Sequence, residues 1–204
     1  MTNIPCTGTV RRICSLLLLA IASGDVHPQL HAKPIMSFQT VYEMDGYSVQ
    51  APLGNNWFEL KRDKAYVYFG RRLASRTHSF IAIALSATLR VRFEKLDEFR
   101  DYVFKMLPVA GNARNTVIES RAEIDETLGR FCVRHYTKTE DRDAIHAEGR
   151  VLLAETTGVS CLHPDDQALT VDVSYTQRGY PKEIAAELRS EGESFLRSLK
   201  FIPH

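Results

Sequence analysis

The chain has 204 residues, 44% of them hydrophobic, and carries 26 Lys+Arg against 25 Asp+Glu for a formal net charge of +1. That length suits a single domain with one core. The balance gives no electrostatic reason to expect nucleic acid or an anionic membrane surface as a partner.

In chain order, Arg11 and Arg12 precede an apolar run, residues 13–22 (ICSLLLLAIA), which closes on Ala20-Ile21-Ala22. A positive start, a short apolar stretch and an A-x-A site make a signal peptide over residues 1–22. The run is half the ~20 residues that a membrane-spanning helix needs. Cys14 lies inside it, and no cysteine follows at a lipoprotein position. Ile13, Cys14 and Ser15 fit a twin-arginine signal poorly, which favours the general secretory route. Cleavage leaves 182 residues with 24 basic and 25 acidic side chains and no further transmembrane segment. The mature protein is then periplasmic or secreted. An uncleaved leader serving as an inner-membrane anchor is the alternative.

Residues 23–36 hold two prolines and little periodicity, and read as a flexible lead-in. Residues 37–204 read as one domain. Residues 37–43 predict a strand, Asp45-Gly46 a hairpin turn, and residues 47–51 the returning strand. Residues 57–61 and 65–71 predict two more strands about the turn Arg62-Asp63-Lys64. Residues 78–88 are apolar on both faces, as are residues 151–154, which predicts strands covered on both sides. Val171, Val173 and Tyr175 alternate with polar residues, as in a half-exposed strand. Phe93, Leu96, Phe99, Val103 and Met106 recur at helical spacing, and Pro108 ends that helix at Leu107. A second helix runs from Pro181 to Leu199, with Gly192 a local weak point of roughly 1 kcal/mol. These elements predict an α+β fold: a single, mostly antiparallel sheet with one helix packed on each face.

Four cysteines are present; Cys6 and Cys14 leave with the leader, and Cys132 and Cys161 remain. Strands over 129–139 and 149–161 flank a polar stretch, residues 140–148. A hairpin centred between His146 and Ala147 sets Cys132 opposite Cys161, at a spacing suited to a disulfide. In an oxidising compartment this pair predicts a structural staple. There is no C-x-x-C to suggest redox catalysis.

Candidate chemistry is sparse. Gly158-Val159-Ser160-Cys161-Leu162 begins like a nucleophile elbow but lacks the closing glycine, so Ser160 reads as a strand serine. His163-Pro164-Asp165-Asp166, with His135 and His146 nearby, places metal-capable groups together without paired zinc spacing, and also makes an ordinary turn. A hydrolase or metal-dependent enzyme built on His163 and the adjacent acids is the catalytic alternative. Glu94, Asp97, Glu98 and Asp101 alternate with Lys95 and Arg100 as helix-surface ion pairs. No P-loop and no G-x-G-x-x-G is present, and no cofactor is expected. Lys61, Arg62, Lys64, Arg71, Arg72 and Arg76 cluster with Tyr66, Tyr68 and Phe69 interleaved, and form the first surface on which to seek an acidic partner.

Three segments carry a family resemblance. Tyr47-Ser48-Val49-Gln50-Ala51-Pro52 leads through a loop to Trp57. Leu96-Asp97-Glu98-Phe99 lies mid-chain, and Phe195-Leu196-Arg197-Ser198-Leu199-Lys200-Phe201 closes it. In these the chain resembles the PsbP-type α/β/α sandwich group, over residues 46–201. The resemblance implies an accessory or binding role beside larger complexes, without catalysis, and offers no functional residues to carry over. An exported, non-enzymatic accessory or binding domain, acting on a protein or small ligand of the envelope, is the resulting expectation.

Overall fold

The computed structural model describes residues 32–107, 114–144 and 147–203. The expected signal peptide (1–22), most of the expected lead-in (23–36) and His146 lie outside the described residues. Among the described residues eleven strands and two α-helices follow one another: β1 (Lys33–Pro34), β2 (Val41–Glu43), β3 (Tyr47–Gln50), β4 (Trp57–Arg62), β5 (Tyr66–Arg71), β6 (Ser79–Thr88), α1 (Leu96–Met106), β7 (Asn115–Ile124), β8 (Cys132–Asp141), β9 (Leu152–Leu162), β10 (Leu169–Gly179), α2 (Ala186–Leu196) and β11 (Lys200–Phe201). The fold is α+β. An eight-stranded sheet has the order β1-β4-β5-β6-β10-β9-β8-β7, and every pairing among its described strands is antiparallel. It consists of two meanders, β4–β6 and β7–β10, with β1 added at the β4 edge. One ends at β6; α1 lies between it and the far edge, and β7 to β10 work back until β10 pairs with β6.

The expectation of a single sheet is corrected here. β2, β3 and β11 form a separate three-stranded sheet, so a strand from the start of the domain pairs with one from its end. Local periodicity encodes that a segment is extended, not which distant segment it meets. The Asp45-Gly46 turn forms as expected, with Gly46 at φ 82°, a left-handed conformation that favours glycine. A Cβ there would also come within 2.6 Å of Leu169. Tyr47 and Val49 are fully buried in the principal core, which is what holds this small sheet against the rest.

Three further expectations change. The end of the lead-in is paired: Lys33 lies opposite Glu59 and Pro34 opposite Phe58, at the sheet edge where a missing N–H is tolerated. Strand β7 has no counterpart in the sequence reading. Its pattern is broken by a bulge between Val117 and Glu119, and none of its residues is buried, so no apolar face stands out. The C-terminal helix is interrupted. A 3₁₀ turn, Pro181–Glu183, precedes the break, and α2 begins only at Ala186. Gln177, 1% exposed, pins the break: its amide donates to the Ala185 carbonyl at 2.9 Å and its oxygen accepts from the Ala185 N–H at 2.7 Å. Leu107 is extended after α1, as a residue before proline prefers.

Neighbouring residues of a strand point to opposite faces. Phe80, Ala82 and Ala84 of β6 join Cys132, Val159, Cys161, Val173 and Tyr175 in one apolar cluster with Leu188, Phe195 and Leu196 of α2. Val133 and Leu162, each one residue along from a cysteine, join Phe99 and Val103 of α1 in a second cluster. The intervening residues of β6 (Ile81, Ile83, Leu85) belong to neither cluster and are only half-buried, so this central strand is less evenly covered than its apolar run implies. Among the described residues no helix is long and apolar enough to cross a membrane.

Candidate functional site

Cys132 and Cys161 lie directly opposite one another in the β8–β9 ladder, their Cα atoms 4.1 Å apart, and are joined by a disulfide. Both are buried. A sulfur pair so enclosed staples the hairpin and presents no reactive face.

The basic cluster is divided by its strands. Lys61 lies opposite Tyr68, and its ammonium sits 5.2 Å from the Tyr66 ring centre; Arg72 stacks over Phe58 at 5.1 Å. Arg62, paired opposite Val67, turns to the other face, where it lies over Tyr42 and 3.8 Å from Glu59. Arg71 faces the same way and is ion-paired with Glu191 of α2, which also accepts from the Trp57 indole. Lys64 and Arg76 are exposed outside the strands. The six cations do not converge on one surface.

The histidines and Ser160 have structural partners. His163 is fully buried; one ring nitrogen meets the Ile202 carbonyl at 3.0 Å and the other accepts from the Asp165 N–H at 3.2 Å. Asp166 caps its own turn by accepting from the Ala168 N–H. Those bonds tie the C-terminal strand to the β9–β10 turn and leave the ring no lone pair for a metal. Among the described residues no cluster of three metal-capable side chains occurs. Ser160 donates to Asp172 at 2.6 Å, and His135 meets the same carboxylate oxygen at 2.9 Å. Serine and histidine thus share an acceptor instead of bonding each other, the reverse of a nucleophile–base pair. The His135 ring crosses β9 above Gly158, where a Cβ would come within 2.4 Å of it. Burial alone would raise the Asp172 carboxyl. The facing His135 and the hydrogen bonds from His135, Ser160 and Ser174 outweigh it and hold the carboxyl below the usual range.

A concavity lies elsewhere, on the α2 face of the sheet. Because α2 rests mainly on β10 and β6, the same face of β7, β8 and β9 stays open beside it. The result is a cleft of about 550 Å³. Its floor carries Tyr136, Thr157 and Tyr175, and its walls carry Arg134, Glu155, Arg189 and Glu193, with Arg121 and Glu123 at the β7 rim. Every cation at this site is paired. Arg134 meets Glu193 at 2.9 Å and Asp125 at 2.9 Å, while Arg189 and Lys138 converge on Glu155 at 2.9 and 3.3 Å. Arg121 meets Glu119 at 3.0 Å and lies 4.6 Å above the Tyr136 ring. The Tyr175 hydroxyl donates to Glu193 at 3.1 Å, and burial pushes its phenol up to about 12. Gly192 of α2 lets the Tyr175 ring approach the helix backbone: a Cβ there would come within 2.4 Å of the ring.

None of these cleft residues stands out in the sequence, although the cysteine pairing implies them. A hairpin with Cys132 opposite Cys161 also sets Tyr136 opposite Thr157 and Lys138 opposite Glu155, all on one face. Arg189 and Glu193, four residues apart, share one side of α2.

Fold and site together define an α+β domain with a polar, charge-paired cleft between a helix and an antiparallel sheet. No protein-family model matches the chain, and no curated protein does. Among solved structures it is similar to LpqN of Mycobacterium tuberculosis, described as involved in cell envelope biogenesis. That match has 11% identity over 80% of this chain and 90% of that one, with a TM-score of 0.49. It is also similar to the Ran-binding protein Mog1p of Saccharomyces cerevisiae, at 8% identity over 79% and 94% of the two chains and a TM-score of 0.44. A Mog1 variant matches at 10% identity over 80% and 95%, with a TM-score of 0.44.

Proposed function

We propose that the chain is exported, loses residues 1–22, and acts in the periplasm or outside the cell as a non-enzymatic binding domain whose ligand sits in the cleft between α2 and the β8–β9 hairpin. The observation that carries this reading is the state of the cleft: its cations are already committed to carboxylates. Such groups can bond a ligand from fixed positions but are poor proton carriers, since moving a proton breaks an ion pair. The engaged nitrogens of His163 and the shared acceptor of His135 and Ser160 argue against the hydrolytic alternative. Export is supported by the leader pattern and by the disulfide, which persists in an oxidising compartment. One helix on each face of the large sheet, the sandwich that the PsbP-type resemblance implies, is the arrangement that the two apolar clusters support.

The test is fractionation of the producing cell, followed by N-terminal sequencing and photo-crosslinking from p-benzoylphenylalanine at Thr157. The reading expects a chain that begins near residue 23, oxidised cysteines and a crosslinked envelope component. A chain that keeps Met1 at the inner membrane would support the anchored alternative. A reduced, full-length cytosolic chain would overturn the proposal.

A further inference from the structure

The cleft's chemistry narrows its ligand. An anionic ligand would set a second negative charge beside Glu193 or Glu155, and a cationic one a second positive charge beside the arginine; either unbalances a pair that is neutral as it stands. An apolar ligand would cover these groups without bonding them. A hydroxyl group both donates and accepts. Neighbouring hydroxyls on a ring can therefore bond the carboxylate and the guanidinium of one pair together and leave the pair intact. Two such pairs, Arg134–Glu193 and Arg189–Glu155, both line the cleft and flank its floor. On that floor lies the Tyr136 ring, with Arg121 4.6 Å above it on a side chain that is 58% exposed and can swing aside. The volume, about 550 Å³, falls within the range of small-molecule sites.

We propose that the cleft binds a saccharide: a neutral, polyhydroxylated ring seated on Tyr136, with its hydroxyls shared between the Arg134–Glu193 and Arg189–Glu155 pairs. This rests on reading the cleft as the ligand site. The ring's C–H face replaces Arg121 on Tyr136, and Arg121 closes over the rim.

The test is retention of the full chain on an array of immobilised neutral glycans, then titration of the retained glycan in free form by saturation-transfer NMR. Binding should weaken at least tenfold in Tyr136→Ala and in Arg189→Met, and stay unchanged in Lys61→Ser/Arg72→Ser, which lies outside the cleft. If Tyr136→Ala does not fold, Thr157→Val and Arg189→Met carry the comparison. The proposal is overturned if no neutral glycan is retained at millimolar concentration, or if retention survives every cleft substitution in folded protein. It is also overturned if only acidic glycans or peptides bind. Photo-crosslinking from Thr157 separates the two failures. Capture of a peptide or another non-glycan ligand ends the saccharide assignment and leaves the cleft a binding site. No capture and no glycan would end both.

Discussion

Replacing Gly192 with alanine tests how α2 is seated. On helix propensity alone, Gly→Ala within a helix stabilises by about 1 kcal/mol. The packing opposes this. A Cβ at position 192 would lie 2.4, 2.5 and 2.6 Å from three carbons of the Tyr175 ring, about 1 Å inside ordinary carbon contact. The ring cannot yield easily, because Tyr175 is 4% exposed and its hydroxyl is bonded to Glu193, itself paired with Arg134. Relief must come from lifting α2 off β10, which loosens Leu188, Phe195 and Leu196 together. Overpacking of this kind costs ~1–3 kcal/mol, and a pinned ring places this case in the upper part of that range. The net expectation for Gly192→Ala is a loss of ~1–2 kcal/mol, or a fall in Tm of about 3–6 °C, read by urea and thermal melts. On a Tyr175→Leu background the clash is gone, and the same change should be neutral or stabilising by up to ~1 kcal/mol. A Gly192→Ala chain as stable as the parent, or a loss that persists in the Tyr175→Leu background, would refute the close approach.

Opening the disulfide by Cys132→Ala/Cys161→Ala should cost roughly 3.5 kcal/mol in the chain-entropy account, with the urea midpoint falling accordingly; an unchanged midpoint would mean the staple contributes nothing. Gly158→Ala should expel the His135 ring from its seat and lose a hydrogen bond to a charged group worth about 1–3 kcal/mol. Ring nitrogen shifts of His135 that match the parent would count against it. Asp125, Asp141 and Asp172 are all held below the usual carboxylate range; in each, burial would raise the carboxyl, and hydrogen bonds with facing Arg or His charge outweigh it. Their stabilisation is therefore complete above the unfolded value, about 3.9, and is lost as pH falls through and below it. Tm should decline below about pH 4, and Asp172→Asn should flatten part of that decline; an equal slope in the variant would remove Asp172 from the account.

What the sequence made legible follows the range of each interaction. The Asp45-Gly46 turn, the end of α1 before Pro108 and the β8–β9 register rest on neighbours along the chain or on one hairpin, and the structure holds all three. The second sheet depends on Lys200 and Phe201 meeting Ser48 and Tyr47, a pairing that no local pattern carries. The break before α2 depends on Gln177, which reads locally as one more residue of a strand. Strand β7 was illegible because an edge strand with a bulge loses its alternation. The basic cluster is divided for a related reason. Residues adjacent in sequence point apart on a strand, so Arg71 pairs with Glu191 while Arg72 stacks on Phe58. The cleft was the converse case, with scattered residues brought onto one face by the register that the cysteines set.

The two sides of that cleft are built differently, and this bears on how it selects. The α2 wall is held at three separate points: at its start by Gln177 of β10, in its middle by the Tyr175 ring beneath Gly192, and on its outer side by Glu191, which engages Arg71 of β5 and the Trp57 indole of β4. Strands from both meanders thus fix one helix, and Arg189 and Glu193 travel with it. The β7 rim has no such support; Arg121 and Glu123 stand exposed on an edge strand. A ligand entering past the rim therefore meets groups already placed and paired on the far wall, and little ordering entropy remains to be lost there. If the cleft holds the proposed ligand, discrimination would fall to the spacing of the Arg134–Glu193 and Arg189–Glu155 pairs, since their charges cancel within the cleft. Under the proposed reading, Arg121 and Glu123 at the exposed rim would then close over what those pairs accept.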